Sequence, residues 1–151
     1  RYTQGWSKIG ELEPKTNFRP WATSNPPPSG GLPAQIAHKI IAAEWPHLAM
    51  DMHECLLGAY FSENLTISDW NVLTDLVSSI GVDPNQFRSV VNESREDFAK
   101  AVVDEHNEAI NQGITAVPTV LINEVLPVPG AQETETYINW IERIIERPKD
   151  S

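Results

Sequence analysis

The sequence predicts an α/β chain that is mostly helical and ends in a β-hairpin followed by one more helix. Three observations predict it. Apolar residues recur at helical spacing through most of residues 34–112. A short β-branched run, Pro118-Thr119-Val120-Leu121-Ile122, is followed by a turn and a second apolar run. From Glu133 to Ile145 the pattern is one-sided, with apolar residues on one helix face and charges on the other. The expected organisation is a Pro/Gly-rich loop segment over 1–33, a helical domain over 34–112 and a strand-containing C-terminal part over 113–151.

Residues 1–33 hold half of the eight glycines and the run Asn25-Pro26-Pro27-Pro28-Ser29-Gly30-Gly31. Three consecutive prolines favour an extended polyproline conformation, and the glycine pair breaks whatever precedes the next element. No flanking basic residue supports a ligand for SH3-type domains, so the run is read as a surface connector. Trp6, Phe18 and Trp21 argue against disorder, because disordered segments are poor in aromatics. The segment is expected to be an ordered loop packed on something.

Pro33 suits a first helical turn, and Ile36, Ile40 and Ile41 follow at helical spacing. Pro46 ends that helix and can begin the next, whose stripe is Leu48, Met52, Leu56, Ala59 and Tyr60, with Cys55 and Leu57 beside it. Ser68 is expected to cap a third helix through Leu73, Leu76, Val77 and Ile80, closed by Gly81. Asp83-Pro84 opens a short helix through Phe87, Val90 and Val91, and Ser94 starts another that stops at Gly113. In the last part, Asn123-Glu124 is the turn between Thr119–Ile122 and Val125-Leu126-Pro127-Val128, and Pro129-Gly130 breaks the second strand. The terminal helix buries Tyr137, Ile138, Trp140, Ile141, Ile144 and Ile145. An isolated two-stranded hairpin is marginal in water, and Thr119 to Ile122 is apolar on both faces, so that strand needs shielding or further neighbours.

Composition narrows the function classes. The 151 residues carry 11 basic and 21 acidic side chains, a formal charge of −10. An acidic chain without a basic cluster repels phosphate backbones, which argues against nucleic-acid binding. No apolar run approaches the roughly 18–20 residues that span a bilayer, so no membrane partner is expected. A single cysteine, Cys55, rules out an intrachain disulfide and a cysteine-based zinc cluster. Cys55 reads as a buried, inert thiol, because nothing nearby would stabilise a thiolate. His47 and His53 are six residues apart and point in different directions on one helix, and His38 would have to come from its neighbour; no metal is expected. His106 lies among Asp104, Glu105 and Glu108 on a solvated face. The carboxylates form no acid–base pair, and no glycine loop cradles a phosphate, so no catalytic residue and no cofactor are assigned. Asn64-Leu65-Thr66 and Asn92-Glu93-Ser94 match the glycosylation pattern but are discounted for want of a secretion signal.

Three segments, taken in order, carry a family likeness. They are Ala59-Tyr60-Phe61-Ser62-Glu63-Asn64 through Ile67-Ser68-Asp69, Val72-Leu73 and Ile80-Gly81-Val82-Asp83; then Ile114-Thr115-Ala116-Val117-Pro118-Thr119; then Gly130-Ala131-Gln132 leading into the last helix. In this order the chain, from about Pro33 to Arg147, resembles the C-terminal part of the DsbA-like family of thioredoxin-fold thiol–disulfide oxidoreductases. The resemblance implies a partial thioredoxin-like fold, with 34–112 as an all-helical domain inserted into it. It also implies that Ala116, Val117 and Pro118 form a substrate-binding loop, with protein thiols or disulfides, or a small thiol such as glutathione, as partners. Sequence alone makes Pro118 an ordinary trans proline at a strand start; the resemblance implies a cis bond, which would turn the Val117 N–H and C=O toward an extended substrate.

One departure bears on activity. The family's Cys-x-x-Cys pair is not in this sequence, which begins at Arg1 rather than Met, so the chain is expected to be a truncated form lacking the catalytic N-terminal portion. Whether it is an enzyme by itself is therefore left open. Two alternatives stand beside this reading. One is a glutathione-dependent relative of the kappa-class transferases and hydroxychromene-carboxylate isomerases. The other is a redox-inactive binding module whose unpaired strand edge docks a partner or forms a homodimer. The acidic charge and the likeness to signal-less members point to the cytoplasm.

Overall fold

Apolar residues at helical spacing become helices wherever no glycine or proline interrupts them. In the computed structural model, which describes residues 2–124 and 126–146, the helices are α1 (Trp6–Leu12), α2 (Leu32–Glu44), α3 (Ala49–Phe61), α4 (Trp70–Ser79), α5 (Pro84–Asn111) and α6 (Thr134–Ile145). Strands β1 (Thr119–Ile122) and β2 (Leu126–Pro129) lie between α5 and α6, and short 3-10 turns occupy Tyr2–Gly5, Pro14–Thr16 and Pro46–Leu48. This is the mostly helical α/β chain with a two-stranded sheet that the sequence predicts. Two compact units divide it, Arg1–Val103 and Asp104–Ser151. No described helix is long and apolar enough to cross a membrane.

The core of the first unit is built from α2 to α5. Ile36, Ile40 and Ile41 of α2 meet Met52 and Ala59 of α3, Leu73 and Val77 of α4, and Phe87 of α5. Of these, Ile40, Ile41, Met52, Leu73, Val77 and Phe87 are completely enclosed. Pro33 sits in the first turn of α2, and Pro46 ends that helix and opens the turn leading to α3. Gly81 and Gly113, at φ 93° and 80°, close α4 and α5 with the left-handed residue of a Schellman cap. At the second of these, Ile114 N–H donates to Ala109 C=O and Gly113 N–H to Ile110 C=O, both at 2.9 Å.

Three local expectations are corrected. The cap of α4 is Asp69, not Ser68: the Asp69 carboxylate accepts from the Asn71 N–H at 2.8 Å. A carboxylate also suits the positive end of the helix dipole, while the Ser68 hydroxyl accepts from the Ser29 N–H at 3.1 Å. Residues 84–111 form one 28-residue helix rather than two. Asp83 starts it as expected, accepting from the Asn85 and Gln86 N–H groups at 2.8 and 3.0 Å. Beyond Pro84 no proline or glycine breaks the ladder, and a serine inside a helix costs only about 0.5 kcal/mol, so Ser94 does not restart it. The N-terminal segment is not wholly loop, since α1 lies in it; seven residues with one buried side chain, Trp6, are too short for periodicity to reveal.

That segment packs through its aromatics onto the end of α3. Trp6 meets Tyr60 and Phe61 at centroid distances of 5.2 and 5.0 Å, Phe18 meets Phe61 at 4.7 Å, and Trp21 meets Tyr60 at 5.7 Å. Such edge-on and tilted pairs gain quadrupole attraction beyond burial.

In the second unit β1 and β2 run antiparallel, with Val120 opposite Val128 and Leu121 opposite Pro127. Asn123 and Glu124 take the left-handed conformation of a tight turn, at φ 52° and 58°. The expectations for Val125, and for the chain's end from Arg147 onward, lie outside the described residues. A fourth correction concerns α6: it is amphipathic, but none of its residues is buried. Ile138, Ile141 and Ile145 are 48%, 44% and 76% exposed. A hairpin with four residues per strand is too small to cover the apolar face of a twelve-residue helix. Ile145→Lys is therefore expected to change stability by no more than about 0.5 kcal/mol. A thermal melt showing a loss several times larger would mean that the face is packed.

Candidate functional site

Between the Gly113 cap and β1 the chain runs through Ile114, Thr115, Ala116, Val117 and Pro118, and Thr115 to Pro118 are exposed. The Val117–Pro118 peptide bond is cis. Two hydrogen bonds buttress the loop from behind. Thr119 Oγ1 donates to Ala116 C=O at 2.5 Å, and Gly130 N–H donates to Pro118 C=O at 2.7 Å.

The second bond depends on the step out of β2. Gly130 sits at φ 77°, a conformation that a side chain would resist. Tyr137 OH donates to its carbonyl at 3.3 Å, and Gln132 Nε2 donates to Pro129 C=O at 2.8 Å. Gly130-Ala131-Gln132 therefore turns the chain into α6 and holds the Pro118 end of the loop at the same time.

What this loop offers is backbone. Val117 is 91% exposed, and its N–H and C=O meet no partner among the described residues. A free donor and acceptor on one residue are what an extended peptide needs in order to pair as a short strand. Ala116, Val117 and Pro118 thus stand together at the strand entrance. Thr119, Gly130 and Tyr137, which the sequence reading did not assign to the site, support them. The hydroxyl just after the proline and the Gly-Ala-Gln step were the available signals for the first two; nothing in the sequence marks Tyr137 as a partner of the Gly130 carbonyl.

The remaining candidates lie apart from this loop in sequence. Cys55 is half-buried on α3 with its Sγ 3.8 Å from Ser79 Oγ. His38 and His53 meet edge to face, centroids 5.9 Å apart. Among the described residues, no group of three or more histidine, cysteine or carboxylate side chains could hold a metal ion. His106 is exposed on α5. Asn64 is only 3% exposed. Its Oδ1 accepts from Ala22 N–H, and its Nδ2 donates to Arg19 C=O, both at 3.3 Å. The sequon asparagine is thus an internal clasp. An asparagine just past a helix end, a residue type that tolerates φ above zero, was the signal for it.

Comparison with known proteins adds a family and a fold. A model of the DSBA-like thioredoxin domain matches residues 27–142. Among solved structures, the cytosolic disulfide reductase DsbM from Pseudomonas aeruginosa, described with GSH, superposes with a TM-score of 0.63 at 16% identity. That match covers 95% of this chain and 71% of the other. At that identity the likeness shows the fold alone. No curated protein matches the chain.

Proposed function

The chain belongs to the DSBA-like thioredoxin domain family, and from that premise we propose that its Ala116–Val117–Pro118 loop holds the substrate of a thiol–disulfide exchange. The observation that carries this is Val117, exposed on a buttressed loop with a backbone donor and acceptor that meet no partner among the described residues. The substrates are protein disulfides or a small thiol such as glutathione. The disulfide reductase that shares this fold is described with GSH and as cytosolic, which supports both the thiol partner and a cytoplasmic setting. The working division is 1–33 as a Pro/Gly-rich segment that includes α1, 34–112 as helical insertion and 113–151 as the part that carries the loop.

Exchange proceeds by attack of a thiolate on a disulfide sulfur; one S–S bond breaks as another forms, and the displaced sulfur leaves as thiolate. Turnover of a dithiol pair needs two cysteines, and these 151 residues hold one, which sits half-buried on α3. The reacting thiols therefore come from outside this sequence. Within it, Val117 N–H donates to a substrate carbonyl and Val117 C=O accepts from a substrate N–H, which fixes the peptide in an extended conformation. The single cysteine also favours a second reading, a redox-inactive binding module that uses the same loop.

The test is titration of the isotopically labelled chain with reduced and oxidised glutathione, followed by amide resonances. Shifts are expected at Thr115, Ala116, Val117 and Thr119. Val117→Pro removes the donor and should weaken binding about tenfold, the worth of one hydrogen bond. Val117→Ala keeps the donor and should bind as the parent does. Shifts confined to other residues, or equal binding by Val117→Pro, would overturn the assignment.

A further inference from the structure

The first unit carries a second feature that the loop does not use. An open groove of about 260 Å³ runs between the first turn of α4 and the first half of α5. Phe87 lies at its base, Trp70 and Asn71 form one wall, and Arg88, Asn92 and Arg95 line the other. Such a pair of arginines is unexpected in a chain with 11 basic and 21 acidic side chains.

Neither arginine has a discrete ion-pair partner among the described residues. The local partner open to an arginine on a helix is a carboxylate three or four positions away. Around Arg88 those positions are Pro84, Asn85, Val91 and Asn92, and around Arg95 they are Val91, Asn92, Phe98 and Ala99. No ion pair or hydrogen bond engages either guanidinium among the described residues. The N-terminus of α4 is not the attraction, since Asp69 already caps it.

Spacing sets the shape of the ligand. Seven residues along an α-helix separate Arg88 and Arg95 by about 10 Å, on one face. A polyproline-type strand presents residues i and i+3 on one face about 9 Å apart, and it leaves its carbonyls free for side-chain donors such as Asn71 and Asn92. Aromatic walls are a usual shelf for that conformation. Arg95 also lines the next hollow, where Glu93, Glu96 and Asp97 turn the surface acidic, and this limits the ligand to two charges. We propose that the α4–α5 groove binds an acidic peptide segment in polyproline-type conformation, with two carboxylates three residues apart paired to Arg88 and Arg95.

The test uses the full chain and the blocked peptide acetyl-Glu-Pro-Pro-Glu-Pro-amide, with calorimetry as the main readout and tryptophan fluorescence as the second. One-to-one binding is expected, with a fluorescence change that Trp70→Phe abolishes. Arg88→Gln and Arg95→Gln should each weaken it about tenfold or more, the effect of losing a charge-assisted bond. Arg88→Lys should restore part of the loss, and Arg143→Gln on α6 should have no effect. No binding would overturn the proposal. So would equal weakening by Arg143→Gln, which means unspecific charge attraction, or inorganic phosphate binding as tightly as the peptide, which means a single-anion site. Because every residue involved lies between 70 and 95, failure here leaves the Val117 reading untouched.

Discussion

Replacing Phe87 with alanine is expected to cost about 3–5 kcal/mol of stability, the range for emptying a buried aromatic site. The ring is completely enclosed and belongs to the core that α2, α3 and α4 share. It also sits one turn after the Asp83 cap, where α5 begins. Domains of this size have only about 5–15 kcal/mol in total, so the variant stands near its unfolding threshold. Chemical denaturation followed by circular dichroism reads the loss as a lower midpoint. Phe87→Leu fills most of the space and should lose less than about 1.5 kcal/mol. If alanine cost under about 1 kcal/mol, the helical core would not be organised around this side chain.

Much of that core could be read from the sequence. The isoleucines of α2, the stripe of α3 and the Leu73–Val77 face of α4 all follow a helical period, and Pro33, Pro46, Gly81 and Asp83 punctuate them. Periodicity was weaker as a guide to continuity. Ser94 and Asp97 resemble a helix start, yet a start signal has no effect when the preceding ladder is intact. Nor does an apolar stripe say what will cover it, which is why the residues of α6 were expected to be buried and are not. At the loop, the family likeness picks out Ala116–Pro118, a segment that is exposed just ahead of β1. The bonds from Thr119 and Gly130 were not legible, because they join residues that only the hairpin register brings together. The arginine groove was invisible for the same reason: its walls belong to helices whose contact is tertiary.

The second large effect is expected at Asn64. Asn64→Ala removes an acceptor from Ala22 N–H and a donor to Arg19 C=O, and it places alanine at φ 54°. Each lost hydrogen bond is worth about 1 kcal/mol net, and the left-handed backbone costs alanine about 1 kcal/mol more. A total of about 2–3 kcal/mol follows. The damage should be local: hydrogen exchange is expected to show the Ala22 amide losing protection while the amides of α2 and α4 keep theirs. Asn64→Gly tolerates the φ and should recover about 1 kcal/mol without restoring the protection. Uniform loss across the whole unit would show that the clasp is part of the global unfolding unit.

Pro26, Pro27 and Pro28 lie between hydrogen bonds that tie them to the α3–α4 loop. Asn25 Nδ2 donates to Asn64 C=O at 3.2 Å, Thr66 Oγ1 to Pro26 C=O at 2.6 Å, and Ser29 N–H to Ser68 Oγ at 3.1 Å. Ordering five freely jointed residues would oppose folding by about 1–2 kcal/mol each, more than three hydrogen bonds return. Prolines change that balance before folding begins. Their rings already restrict the unfolded chain, so little disorder remains to be lost when the strap settles. The hold on this stretch therefore resides as much in the stiffness of the denatured ensemble as in any native contact, and glycines in place of Pro27 and Pro28 would release it with every hydrogen bond partner still present.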